Sequence, residues 1–488
     1  MFAIAIGILP IVLIEIGLRV LGIAADQTAA VSASLHASDL TAIDREPLLD
    51  LHALRPLFVP SVDGKRMEIG AERMNFFCPA SFPIQKRPTT LRVFALGGST
   101  TQGQPYRTET AFAHWLSMRL AAAIPDREIE VINCGGISYA SYRVAAILNE
   151  VLTYSPDLIL LYTGHNEFLE SRTYERQRWV PRWLAIPVAM VSRLRVSRVI
   201  ANAITDKTHQ SKIVAAKTAL PSEVNTLLDH VDGMEAYRRD PQWSESVHSH
   251  FERKLSEMVD ACRSAGVPLV LCVPTSDLVN TPPFKSTPDP SLSDVLQSSE
   301  AKWTTIAESD SQTPSMRCDA AKSILNIDSN HALANYVLGR IAYEHDNSSG
   351  TEMRQYLIAA RDNDVCPLRA TTRIERAVRA YRDHEGVFLV DTPNVLDQRN
   401  ASRENEPDEI ADPRFFVDHV HPTIEGHQAI AAAIYRQLVD EKWLSPVENA
   451  DATYAFLVEA HLKTLGEEYY GRAEQRLEGV RRWSRSGK

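Results

Sequence analysis

An α/β fold of three layers, α/β/α, with a parallel sheet of about five strands, is predicted by three features of this 488-residue chain. Apolar strand-like runs alternate with helical patterns over residues 91–163, a β-α-β-α-β order that implies right-handed crossovers and a parallel sheet covered by helices. One of these runs, PDLILLYT (Pro156–Thr163), is apolar nearly throughout, as a strand buried on both faces should be. Two further apolar runs recur downstream after long interruptions, so helical insertions complete the prediction, together with an N-terminal membrane helix.

The N-terminal stretch FAIAIGILPIVLIEIGLRVLGIAA, Phe2–Ala25, has only Glu15 and Arg19 charged in 24 residues and is long enough to span a bilayer. The two charges lie four apart and share a helix face. No basic residue precedes the run, which favours a retained anchor over residues 1–25. A cleaved signal peptide, with VSA at Val31–Ala33 as its processing site, is the alternative, and a buried core helix a third. The acidic flank Asp26, Asp39 and Asp44 does not oppose export, so the main domain is expected outside the cytoplasm, in the periplasm or at the cell surface, tethered to the membrane.

Residues 26–90 read as a loop-rich approach. LRVFAL (Leu91–Leu96) is the first strand, followed by a helix over Thr108–Ala123 that Pro125 closes. EIEVIN (Glu128–Asn133) is the second strand, Ser141–Tyr154 the second helix and Pro156–Thr163 the third strand. A helix over Ser246–Ala265 leads into VPLVLCVP, the fourth strand, and GVFLVD (Gly386–Asp391) is the fifth. A last helix over Thr423–Val439 ends the domain, 91–440, and 441–488 form a helical tail.

Two insertions interrupt this pattern. The first, at about 171–245, opens with seven arginines and one acidic residue over 171–200, interleaved with Trp179 and Trp183. A membrane-surface segment or lid and a solvated helix tethered by its tryptophans are equally consistent with it. The second, at about 315–370, is a helical hairpin resembling a degenerate tetratricopeptide unit, with Asp328 and Asp364, and Ala334 and Ala370, each 36 apart. Plain packing is its expected role, and binding of a protein partner the alternative. Among the six cysteines, Cys134 and Cys272 read as buried thiols, and Cys318 and Cys366 bracket the hairpin in a way that permits a bridge in an oxidising compartment. A net charge of −10 offers no basic field for nucleic acid.

Chemistry concentrates at strand ends, where such sheets place their sites. RVFALGGSTTQG (Arg92–Gly103) runs from a strand into glycines, a serine and threonines. A phosphate loop would need a lysine after the last glycine, but Gln104 stands there, and neither G-x-G-x-x-G nor G-x-S-x-G is present. Gly97-Gly98 instead permits a tight turn that exposes Ser99, although a helix-capping serine explains the same residues. In FFVDHVHPTIEGHQAIA, Asp418 and His421 lie three apart, so the carboxylate can hold the imidazole Nδ1–H and leave Nε2 as an acceptor. Oxyanion donors are available from the Ser99 N–H, from Gly136 or Ser138 in NCGGISYAS, and from the Asn166 side chain in GHNE. Taken singly, each reads as a turn or a cap.

His165, His419 and His427 with Glu167, Asp418 and His421 offer a competing metal cluster, but His421 is better explained by Asp418 and Ser99, so no metal and no cofactor is expected. Glu167 is expected to cap a helix, and His114 to pack or face solvent. After the fourth strand, Asp277 and Asn280 are candidates for substrate contact, with turn formation as the plainer reading.

In order, GGST, NCGGIS, GHNE and DHVH resemble the four blocks of the SGNH hydrolases, also called the GDSL esterase/lipase family, here of membrane-anchored bacterial type. The resemblance covers about 91–168 and 246–440 and implies an SGNH-hydrolase-like sheet, a Ser99–His421–Asp418 triad and an oxyanion hole. GGST replaces the family's Gly-Asp-Ser-Leu, whose aspartate is not the catalytic one, and the family's glycine donor aligns with Ser138. It also implies a serine esterase acting on a short-chain acyl ester, such as an acetyl ester, of a small molecule or glycan. Acyl transfer to a cell-surface glycan is the alternative with the same triad. A non-catalytic membrane-tethered scaffold is a second alternative.

Overall fold

The computed structural model describes residues 56–169, 224, 226, 228, 233–345, 350–397 and 410–485. The anchor or signal segment at 1–25 and the Arg/Trp stretch at 171–200 lie outside the described residues, among which no helix is long and apolar enough to cross a membrane.

Residues 56–90 are more ordered than their sequence suggests. β1 (Phe58–Pro60), β2 (Arg66–Ile69) and β3 (Ser81–Pro83) form a small antiparallel sheet, with Phe58 opposite Ile69 and Arg66 opposite Pro83. Strands this short carry no readable alternation, so what orders them is tertiary packing. Phe82 meets Phe58, Phe94 and Tyr154 with ring centroids 5.0, 5.2 and 5.2 Å away.

β4 (Thr90–Gly97) follows, leading into the single-turn helix α1 (Ser99–Gln102) and then α2 (Phe112–Ala123). β5 (Glu128–Gly135), α3 (Ser141–Val151), β6 (Leu158–Tyr162), α4 (Pro241–Ser264) and β7 (Leu269–Cys272) continue the alternation. Four helices stand at the insertion instead of one hairpin, each packed on the next: α5 (Asp294–Glu308), α6 (Pro314–Ile327), α7 (Ala332–His345) and α8 (Gly350–Asp362). The chain then runs through α9 (Thr372–Arg379), β8 (Val387–Val390), α10 (Thr392–Leu396) and α11 (Ile424–Asp440). α12 (Ala450–Leu462) and α13 (Glu467–Arg485) form the tail.

The five main strands are all parallel, in the order β5-β4-β6-β7-β8. On one face, Leu91, Val93 and Ala95 share a core with Phe112, Trp115 and Leu116 of α2 and Ile430, Ile434 and Leu438 of α11. α3 lies on β4 from the opposite side and packs against α4. Its Glu150 accepts the Leu57 and Phe58 N–H groups and ties the small sheet on. Arg92, buried within β4, reaches the same sheet: Nη2 donates to the Pro83 carbonyl at 2.8 Å while Nε pairs with Glu130 at 2.6 Å.

Sequence spacing placed the start of α4 at Ser246, but Asp240 caps it by accepting from Gln242 and Trp243 N–H, with Pro241 at the first turn. The two aspartates singled out by their spacing both anchor the insertion. Asp328 takes a forked pair of hydrogen bonds from Arg239, and Asp364 accepts Phe284, Lys285 and Cys366 N–H groups. Cys318 and Cys366 are not bridged; all six cysteines are free.

Candidate active site

The strand order puts a switch point at β4: the chain leaves it for β5 on one side and returns to β6 on the other. Open parallel sheets bind ligands in the crevice outside the carboxyl ends of strands at such a point. Gly97 of β4 lies in register with Gly135 of β5 and Tyr162 of β6, so the segments that follow all three strands converge there.

The turn after β4 is built by close approach. A β-carbon on Gly97 would run into the Tyr162 carbonyl and the Thr101 hydroxyl, and one on Gly98 would stand 2.6 Å from the Asn166 Nδ2. Thr101 Oγ1 donates to the Tyr162 carbonyl at 3.1 Å, and the Asn133 amide donates to the Thr101 carbonyl at 2.8 Å. Gln102 Nε2 donates to the Phe76 carbonyl at 2.7 Å. These bonds leave Ser99 half-buried at the head of α1.

Ser99 and His421 are 322 residues apart in sequence, yet Ser99 Oγ lies 2.8 Å from His421 Nε2. His421 Nδ1 is 2.7 Å from Asp418 Oδ2, while Asp418 Oδ1 accepts the Val420 and His421 N–H groups at 3.0 and 2.8 Å. Burial alone would raise the Asp418 pKa, but His421, His419 and these hydrogen bonds outweigh it and hold the carboxyl well below its usual range. A carboxylate only accepts, so Nδ1 carries the imidazole hydrogen and Nε2 accepts from the serine hydroxyl. An antiparallel bridge between Phe416 and Pro422 and the Asp277 N–H bonded to the His419 carbonyl at 3.0 Å brace this loop.

Asn166, half-buried, donates through Nδ2 to the Tyr139 carbonyl at 3.1 Å. Gly136 N–H donates to the Gly97 carbonyl at 3.0 Å and so helps close the β4–β5 end. Ser138 has a left-handed backbone, φ 61°, and is half-buried. Asp277 and Asn280 lie in the turn after β7, where the Asp277 N–H meets the His419 carbonyl beside the loop that carries His421. The Asp277 carboxylate accepts the Val279 and Asn280 N–H groups in a turn, and the Asn280 side-chain oxygen accepts from Arg340.

Glu167 does cap a helix: it accepts the Ser141 N–H at 2.9 Å and the Ser141 hydroxyl at 2.7 Å at the start of α3. Its burial pushes the carboxyl up to about 7. Burial holds His165 and His427 down at about 3 and His419 at about 4, so all three are neutral imidazoles. His427 Nδ1 accepts the Phe112 N–H at 3.3 Å, and His419 packs edge-on against Phe284. Among the described residues no group of three or more His, Cys, Asp or Glu side chains is placed to hold a metal ion.

Sequence reasoning missed two contributors to this region. The Phe76 carbonyl, which receives both Gln102 Nε2 and Ile137 N–H, comes from the stretch read as loop-rich. The C-terminal helix also reaches the site loops, and its sequence carries no signal for that contact.

Residues 95–310 match the sequence model of the GDSL-like Lipase/Acylhydrolase family. This is an ester-bond hydrolase. The match takes in Ser99, Gly136, Ser138 and Asn166 of this hydrolase and ends short of Asp418 and His421, which the fold brings back to Ser99. No curated protein matches the chain. Among solved structures, a G-D-S-L family lipolytic protein from Desulfitobacterium hafniense is similar at 12% identity, covering 72% of this chain and 99% of its own, with a TM-score of 0.29. An acetylxylan esterase from Geobacillus stearothermophilus is similar at 14% identity, covering 72% and 94%, with a TM-score of 0.31.

Proposed function

We propose that this hydrolase is a serine esterase that cleaves short-chain acyl esters of a small molecule or glycan through Ser99, His421 and Asp418, outside the cytoplasm. One observation carries the reading: Ser99 Oγ, the His421 ring and Asp418 Oδ2 form an unbroken hydrogen-bonded chain, 2.8 and 2.7 Å, at the switch point of the sheet. The ester class is supported by the family match, and the location by the apolar run Phe2–Ala25.

In this reading Ser99 Oγ attacks the ester carbonyl as its proton passes to His421 Nε2. Asp418 fixes the tautomer and stabilises the imidazolium that forms. Collapse of the tetrahedral adduct breaks the bond to the alcohol, which takes the proton from Nε2 as it leaves. Water then attacks the acyl-serine, with His421 again as base, and releases the acid. The developing oxyanion is held by the Ser99 N–H, the Asn166 amide and the Ser138 N–H. Ser138 is preferred to Gly136 because the Gly136 N–H is engaged with the Gly97 carbonyl. Asn166 spends one of its two amide hydrogens on the Tyr139 carbonyl, which orients the other.

Turnover of p-nitrophenyl esters of increasing acyl length tests this. Ser99→Ala and His421→Ala are expected to lose several orders of magnitude in kcat. Asn166→Ala is expected to lose roughly 10²–10³-fold. A Ser99→Ala enzyme with near wild-type turnover would refute the assignment, and a preference for long chains would refute the short-acyl part of it.

A further inference from the structure

The triad makes no use of the C-terminal helices, yet α13 touches both loops that carry it. Arg476 Nη1 donates to the Pro105 carbonyl at 2.9 Å, in the loop that leaves Ser99 and α1. Arg481 Nη2 donates to the Val417 carbonyl at 3.0 Å, on the residue just before Asp418. Near the start of the same helix, Tyr469 shares a 2.8 Å hydrogen bond with Thr110 and stacks on Tyr106 with ring centroids 6.5 Å apart.

These contacts bear on the one distance the chemistry depends on. The 2.8 Å Ser99–His421 bond joins two loops with no covalent connection nearby. Each loop is braced on its own side: Gly103 and Gln104 N–H groups return to the Ser99 carbonyl, and Val417 N–H bonds the His421 carbonyl at 2.9 Å. Those braces fix the shape of each loop and not the gap between them. α13 spans that gap, with one guanidinium on each side, and both acceptors are backbone carbonyls, so backbone and not side-chain position is what the contacts hold. A guanidinium presents its donors in a rigid planar fork, which suits this purpose better than a flexible ammonium.

We propose that α13 is a clamp on the active site, with Arg476 and Arg481 as positioning residues that keep the Ser99 loop and the Asp418–His421 loop at reacting distance. This rests on the serine-esterase reading, and the test separates the two. Full-length wild-type protein, Arg476→Gln, Arg481→Gln and the double variant would be compared for kcat and KM on p-nitrophenyl acetate, for the rate of fluorophosphonate labelling at Ser99, and for Tm. Arg472→Gln, an exposed residue of α13 that pairs with Glu468, serves as the control. The double variant is expected to lose about tenfold in kcat and in labelling rate, given how steeply rate depends on sub-ångström placement, with KM within about twofold and Tm close to wild type. The control is expected to match wild type. Wild-type kcat and labelling in the double variant would overturn the clamp, as would a loss that merely tracks a falling Tm or appears equally in the control. Failure of wild-type Ser99 to label at all would overturn the esterase reading, and the clamp with it.

Discussion

At Gly98 a β-carbon would stand 2.6 Å from the Asn166 amide nitrogen, so the residue before Ser99 and the proposed oxyanion donor Asn166 are packed against each other. Gly98→Ala is therefore expected to displace the amide and lower kcat at least about tenfold with little change in KM, a split that steady-state kinetics reads directly. Beside it, Glu167 makes a different prediction. Its folded-state pKa is raised from 4.5 to about 7 by burial, so the folded protein binds the proton more tightly than the unfolded chain does. Its stabilising contribution is complete below about pH 4.5 and is lost as pH rises through about 7. Glu167→Gln keeps a carbonyl acceptor for Ser141 and has no charge to bury. Its Tm is expected to gain on wild type between pH 5 and pH 8, and an identical pH dependence of Tm in the two proteins would contradict this account of Glu167.

Among the elements, the legible ones were those whose own residues decide their state. β6 is buried along its whole length and reads as a continuous apolar run, β4 is as fully buried with only Thr90 and Arg92 polar among its eight residues, and Thr423, which accepts from Gly426 N–H, marks the start of α11 in the sequence itself. β1 to β3 were illegible because three or four residues show no period, and what orders them is the cluster of Phe58, Phe82, Phe94 and Tyr154 brought together from distant parts of the chain. Phe82→Ala should accordingly cost about 3–5 kcal/mol, read as a lowered urea midpoint at unchanged m-value. The insertion was legible as helical but not in extent, since α5 belongs to it and its docking depends on Asp364 meeting three backbone N–H groups. Asp364→Ala strands those donors and is expected to expose 285–370 to limited proteolysis before the sheet domain is cut.

For the molecule as a whole, the proposed nucleophile Ser99 and the proposed base His421, with Asp418 beside it, lie 322 residues apart in sequence and meet only when the sheet is assembled. Four short blocks made the candidate site readable because each follows a strand or precedes a helix, and the parallel sheet gathers strand ends at one edge. What the blocks did not reveal was choice among neighbours: that Gly136 N–H is occupied by Gly97, that Asp277 spends its carboxylate on its own turn, and that α13 reaches both loops. Those facts depend on distances between segments remote in sequence. The most direct test of the central claim is fluorophosphonate labelling of the full-length protein with peptide mass spectrometry to locate the adduct, run beside His421→Ala. An activated serine predicts a single adduct on Ser99 that disappears in the variant. No adduct on folded wild-type protein, or an adduct equally strong without His421, would contradict it.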